Sequence, residues 1–549
     1  MRIVSEHRRV VDGKTLTGKA GSYVSHRMTT PPERPSGADA PRTADDACDG
    51  PSADRDSPSE STRATRRGRI APFLGIDPRA LGAFRIGLGL VLLAELLVYR
   101  LPAVVPFYTD SGVLPRETLA ATYPALEAVS LHALSGAAWF QTTLVLAGVA
   151  LAGLLLVGHR TRLALAGSTL LLASLYARNP YALNGGSTVL VAFLALSLSL
   201  PLDARWSLTA LRGTPALRAV ERRVCSVGTA VVLLAFVSIY AANALTKYQS
   251  DAWMVGTAVA RIYRIEEFVV GLGRVIAEWT AVLTAVNWVW IALLTASPLL
   301  VLSVGRLRAG LALACIGAHL SMAATMRLGA FPFVMAAILC LYLPPRVWDA
   351  VESVVDPPAD AVASILSEAV ADGPDAGGRA GSVTSLVGPR GRRAVRVTRT
   401  VLLVAALAAL VGWQAAGVGL VDAPGGGGDG GLTEVSWSFF APEPPDSSSW
   451  YVVRAELASG DAIDAVDGEP VDFEPPPDAA DRYPTTVWHQ YGHRLRYADE
   501  RRYEAAARYF CGRLDGDVDS VTVVRVAQPI DAHGPVGDPT TRERGSATC

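Results

Sequence analysis

Ser226-Val-Gly-Thr-Ala-Val-Val-Leu-Leu-Ala-Phe-Val-Ser-Ile-Tyr-Ala-Ala-Asn-Ala-Leu-Thr246 runs without a charge and is followed at once by Lys247. A helix of that length rises about 30 Å, enough to cross the hydrocarbon core of a bilayer. The residue that closes it is unusual in this chain. Of 50 basic side chains only Lys14, Lys19 and Lys247 are lysine, and the first two lie in a polar tail. Arginine keeps its proton in a protein, whereas a desolvated lysine can become a neutral base. A GC-rich genome that replaces lysine by arginine accounts for the rarity. A lone lysine at the end of a membrane run points instead to function.

Outward from that run the composition is that of a membrane protein. The 549 residues are 50% apolar and 18% charged, with mean hydropathy +0.29, too apolar for a soluble chain of this size. Runs long enough to span recur at Leu81–Tyr99, Ala138–Val157, Leu163–Ala177, Ser187–Leu202, Ser226–Ala244, Ala281–Val304, Ala309–Met326, Ala330–Pro345 and Val401–Leu420, which predicts a helical bundle of about nine spans. Every second connection is rich in arginine: Arg63 to Arg69, Arg160 with Arg162, Arg205 to Arg223, Arg306 with Arg308, and Arg390 to Arg399. The positive-inside rule places these in the cytoplasm, with the N-terminus inside and the C-terminal region outside a cell membrane.

Residues 1–70 are polar, without apolar periodicity, and are expected to be disordered; they hold no signal-peptide apolar core, and Met28 is an alternative start. The domain at 77–345 is followed by a cytoplasmic linker at 346–395 with a short amphipathic piece at 361–371, a last span at 396–421, and a Gly-rich tether at 422–431. An α+β domain at 432–549 completes the chain. Residues 422–549 carry 23 Asp and Glu against 11 Arg, a net charge of −12. Acidity with arginine in place of lysine is a haloarchaeal type of composition. Within this domain Trp450–Leu457 and Ala462–Val466 read as a hairpin, Ser520–Val526 as a strand and Glu500–Leu514 as an amphipathic helix.

The six cysteines form no metal-binding spacing, and Cys511 on the apolar face of the last helix reads as a packed thiol. Phosphate-loop, zinc-protease and nucleophile-elbow motifs are missing, so no metal is expected. With a net charge of −1 and an acidic outer domain, nucleic acid is excluded as a partner.

Several motifs stand in an order that resembles a known family. Asp77-Pro-Arg-Ala-Leu-Gly-Ala-Phe-Arg-Ile86 looks like the opening of the horizontally transferred transmembrane (HTTM) domain, related to the vitamin K-dependent gamma-glutamyl carboxylases. Leu202-Asp-Ala-Arg-Trp-Ser207, Lys247-Tyr-Gln-Ser-Asp-Ala-Trp253 with Gly256, and His319 with Gly329 and Phe331 resemble its later motifs. In the outer domain Trp437-Ser-Phe-Phe440 and Tyr509-Phe-Cys-Gly-Arg-Leu514 join them.

The resemblance implies chemistry inside the membrane. In the carboxylase a lysine deprotonates reduced vitamin K, and oxygen turns the quinol into a strong base that removes a glutamate γ-proton. Carried over, Lys247 is the base, His319 a second catalytic residue, and Asn184, Trp253 and Arg85 contact a substrate or a reduced isoprenoid quinone. Two departures matter. Leu183-Asn-Gly-Gly186 leaves Gly185 where the carboxylase has histidine, and no cysteine in the first outer loop stands ready to pair with Cys511.

Other readings of the same residues stay open. His319 is either a catalytic or quinone-contacting group or an interior histidine bonded to a neighbouring helix. Arg85 either meets a ligand or snorkels to the cytoplasmic face, and Glu95 calls for an arginine or polar backbone as partner. Asp203 and Trp206 read as an interfacial anchor. Asn184 with its two glycines either exposes backbone to a ligand or turns the chain. Thr257 to Val270 is expected to lie on the outer surface as an amphipathic segment, with Lys247 and Trp253 at the outer lip of the bundle. The leading function is an enzyme acting with a membrane quinol or another lipid-soluble molecule, on an extracytoplasmic protein or small-molecule substrate. The alternatives are a non-enzymatic transporter and a partner-binding protein that retains the fold.

Overall fold

The computed structural model describes residues 69–211, 223–354, 388–421, 437, 439–476, 483–496, 498, 500–514 and 518–549. The expectations for the 1–70 tail, the amphipathic piece at 361–371 and the tether at 422–431 fall outside these residues, as does most of the 346–395 linker.

Local chemistry sets the helix boundaries. Helix α1, Pro78–Ala94, starts where the Asp77 carboxylate accepts from the Arg79 backbone N–H and Pro78 occupies the first turn. It continues as a π-helical turn, Glu95–Arg100. Helix α2, Ala138–Val157, stops at Gly158 with φ 70°, a left-handed position that glycine takes without strain. Helices α3, Thr161–Arg178, and α4, Gly185–Ser197, follow. The decisive run forms α5, Val227–Tyr248, opened by a reciprocal Ser226–Thr229 capping box. Then come α6, Thr280–Ala296, α7, Gly305–Thr325, α8, Phe331–Leu339, and α9, Pro389–Gly417. The Arg390–Arg399 stretch, expected in linker and loop, is thus the opening of α9, with Pro389 at its first helical turn.

Among the described residues five helices are long and apolar enough to cross a membrane: Pro78–Arg100, Ala138–Val157, Val227–Tyr248, Gly305–Thr325 and Arg390–Gly417. The other expected spans are helical but fall short of that measure. Helix α3 carries Arg162 and Arg178 near its ends, α4 and α6 are shorter, and α8 with its continuation bends by 110° into Pro345–Val354.

Buried polar groups hold the bundle together. The Glu95 carboxylate pairs with Arg100 at 2.6 Å and accepts from the Tyr176 hydroxyl at 2.9 Å, which supplies the arginine partner its depth demands. Arg100 also donates to the Tyr108 hydroxyl and the Ala182 carbonyl. Arg178 donates to the carbonyls of Leu114 and Thr109, fixing the loop after α1 against α3.

The C-terminal region is a four-stranded antiparallel sheet in the order β2-β1-β3-β4, from Ser447–Leu457, Ala462–Asp464, Val518–Pro529 and Thr540–Thr548. Val452 faces Val524 and Val453 faces Val523 in the central pair. The expected hairpin is β1–β2. Helices α10, Thr486–Leu495, and α11, Glu500–Cys511, complete this part. Strand β4 brings the chain end back along β3 and over α11, and Cys549 is disulfide-bonded to Cys511. That corrects the packed-thiol reading of Cys511: its partner lies at the C-terminus, which the sheet carries to the helix. Helix α10 seats on the membrane part, with the Trp488 ring 4.7 Å from Phe107 and Arg494 donating to the Leu183 carbonyl.

Candidate active site

The last turn of α5 delivers Lys247 into a cavity of about 460 Å³ bounded by helices α5 to α8, the segment after α5 and the C-terminal domain. The chain turns sharply beyond Lys247. The Ser250 side chain caps the short helix Asp251–Val255, and Gly256, at φ 88°, ends it. This reversal folds Trp253 back onto the lysine, whose Nζ lies 4.4 Å from the centre of the indole. Lys247 is 1% exposed and its Nζ donates to the Phe439 carbonyl at 2.9 Å. Among the described residues no carboxylate comes within ion-pair distance of it.

Phe439 is held there by a row of bonds from the membrane helices. Asn243 donates to the Trp437 carbonyl at 2.6 Å, the Trp437 indole donates to Thr188 Oγ1 at 2.7 Å, and the Trp253 indole donates to the Phe440 carbonyl at 3.0 Å. Trp437, Phe439 and Phe440 therefore strap the C-terminal domain across the cavity beside Lys247. Phe439 stacks obliquely on Phe331, with ring centres 4.2 Å apart.

His319, from α7, is buried on the same cavity. Its Nε2 shares a 2.6 Å hydrogen bond with the Tyr240 hydroxyl of α5, and its Nδ1 has no partner among the described residues. Both readings of this residue meet in the structure: it is bonded to a neighbouring helix and lines the cavity. Asn184 also lines it, capping α4 through its bond with the Ser187 N–H and donating to the Leu328 carbonyl.

Four of the five expected site residues are therefore together: Lys247, His319, Asn184 and Trp253. Arg85 is not. It is fully buried near the far end of α2, where it donates to the carbonyls of Leu155, Leu156 and Trp206. Three backbone carbonyls accept from its two terminal nitrogens inside the protein, so it neither snorkels nor reaches the cavity.

The segment Thr257 to Val270 departs from expectation as well. Ala258, Ala260 and Ile265 are completely buried. Its apolar side chains pack with Leu283, Ile291 and Met326, and with Ile530 and Ala532 of the outer domain. The segment is a wall of the cavity, not a surface helix, because its apolar side chains meet protein on more than one side. Lys247 and Trp253 are buried too, at 1% and 2% exposure.

The C-terminal domain contributes lining residues that were not expected from the sequence. Helix α10 presents His489, Gln490, His493 and Arg494. His489 lies edge-on to Phe268 at 4.7 Å, and burial holds its imidazole down to about 3. His493 stands 3.6 Å from Glu267. A signal existed: Thr485 as cap, followed by Val487, Tyr491 and Leu495 at four-residue spacing. The packing at Gly185 explains the absent histidine, since a Cβ there would run into the Phe439 ring.

The arrangement is a chamber with one amine, the three imidazoles of His319, His489 and His493, and many ring faces. The family model for the HTTM domain matches residues 73–348, half of the chain, and the chain belongs to the HTTM domain family. With its long apolar helices it is thus a membrane protein of that family. Neither a curated protein nor a solved structure matches the chain.

Proposed function

We propose that the protein is an enzyme that takes a lipid-soluble aromatic diol of the isoprenoid quinol class into this cavity, with Lys247 as the base. The observation that carries the reading is the position of Lys247 Nζ: buried, bonded to a single carbonyl, and facing a chamber walled by aromatic rings. The residues fit such a molecule. The cavity volume of about 460 Å³ is that of a small-molecule site. Trp253, Trp290, Phe268, Phe331 and Phe439 offer flat faces, and the unpartnered Nδ1 of His319 offers a polar contact to a ring oxygen. A bound quinol would bring an ionisable hydroxyl and two electrons for oxygen. Lys247 Nζ accepts the hydroxyl proton, and the Phe439 carbonyl holds the resulting ammonium in place. His319, steadied by Tyr240, orients the head group, and the strap residues exclude water.

The nine-span arrangement belongs to the same proposal, with α3, α4, α6 and α8 as shorter, tilted or bent members of the bundle and the N-terminus in the cytoplasm. The arginine alternation supports that orientation. So does the Cys511–Cys549 disulfide, a bond typical of compartments outside the cytoplasm.

The test is menaquinol-dependent oxygen uptake by the full chain in lipid nanodiscs. Lys247→Arg keeps a positive charge but lacks a base, and uptake should fall by roughly 10²–10⁴-fold. Equal uptake by both proteins excludes Lys247 as the base. No uptake by a folded wild type favours the carrier or partner-binding reading.

A further inference from the structure

The cavity meets the surface of the bundle at a place whose chemistry is that of a bilayer. Val286 and Val289 of α6 bound the cavity and are nevertheless 43% and 58% exposed. Ser321 of α7, across from them, also both lines the cavity and is exposed. A side chain that bounds a cavity and is open to the surroundings marks a mouth. This one lies between two apolar helices. One of them, α7, is among the five long enough to cross the membrane.

What lies around the mouth identifies the phase it opens to. On the same two helices Val282, Trp288, Leu313 and Leu320 are each between 43% and 48% exposed, an apolar belt that belongs in hydrocarbon. Deeper in, the mouth leads past Trp290 to His319 and Lys247. Where the C-terminal domain and the loop after α7 line the cavity the chemistry differs in kind, with Arg327, Glu443, His493 and Arg494.

We infer that the gap between α6 and α7 is a lateral port, through which a molecule with a flat head and a single long apolar tail passes from the bilayer and in which its tail then rests. The head lies inside beside Lys247, and the tail leaves between Val286, Val289 and Ser321. The identity of the head rests on the quinol reading above; the port does not.

Photolabelling separates the two. The full chain in nanodiscs containing a diazirine-bearing fatty acid is irradiated and its adducts are mapped by mass spectrometry. The port predicts adducts on the interior residues Trp290 and Met335 as well as on the outward Leu313 and Leu320. Val286→Phe with Val289→Phe, and separately Ser321→Phe, should abolish the interior adducts and spare the outward ones. Unlabelled menaquinone should suppress the interior adducts of the wild type. Outward adducts alone in the wild type, or interior adducts that persist in both variants, overturn the port. Interior adducts that the variants abolish but menaquinone leaves untouched uphold the port and remove the quinol.

Discussion

Lys247 meets one carbonyl and one indole face, and His489 sits ring-to-ring with Phe268 and Tyr483. Neither residue is solvated, but only the second has a consequence that acid alone reveals. In the unfolded chain a histidine titrates near 6.5, while burial holds folded His489 down to about 3. Between those values the unfolded state binds the extra proton. Stability is therefore complete above about pH 6.5 and is lost as pH falls, by at most about 1.4 kcal/mol per pH unit. His132, held down to about 4 by burial, adds in the same direction. Thermal melts of the full chain should show a lower midpoint at about pH 5 than at neutral pH, and His489→Phe should flatten the difference. A midpoint independent of pH would show that His489 is solvated. Lys247 could be singled out from sequence because it stands alone among arginines. His489 could not, because a histidine in a polar domain shows its burial only once α10 is placed on the bundle.

At the scale of elements the strap governs the site. Trp437, Phe439 and Phe440 are fixed by Asn243, Thr188, Lys247 and Trp253, and the Phe439 ring fills the space that a side chain at position 185 would need. Gly185→His should push Phe439 away and cost about 1–3 kcal/mol, as overpacking of a filled core does. Its melting midpoint should drop and its menaquinone affinity fall together; an unchanged midpoint would mean that the strap yields freely. The helices themselves were readable from apolar run length, caps and arginine placement. Their fate at the ends was not. The Thr257–Val270 segment has the composition of a surface helix, and only Leu283, Met326 and Ile530 around it make it a wall. Strand β4 has almost no apolar alternation in Thr-Thr-Arg-Glu-Arg-Gly-Ser-Ala-Thr548, so backbone pairing with β3 is what defines it.

In the whole molecule the membrane bundle and outer domain share one site. Arg100 reaches from the end of α1 toward Ser187 and Gln490, and α10 caps the cavity that α5 and α7 begin. Loosening the outer domain should therefore loosen the site. The Cys511–Cys549 bond closes a separation of 38 residues, a loop whose cross-link contributes about 2–4 kcal/mol. Reduction with dithiothreitol should lower the melting midpoint and weaken menaquinone binding in parallel. Binding that survives reduction undiminished would place the site wholly within the bundle.

The central claim is that a quinol-class head group touches Lys247, and the scarcity of lysine makes this directly measurable. Nitrogen-15 labelling of lysine side chains gives signals from Lys14, Lys19 and Lys247 alone. In nanodiscs, added menaquinone should shift the Lys247 signal and leave the two tail lysines unmoved. A Lys247 signal that stays in place at saturating menaquinone would contradict the account.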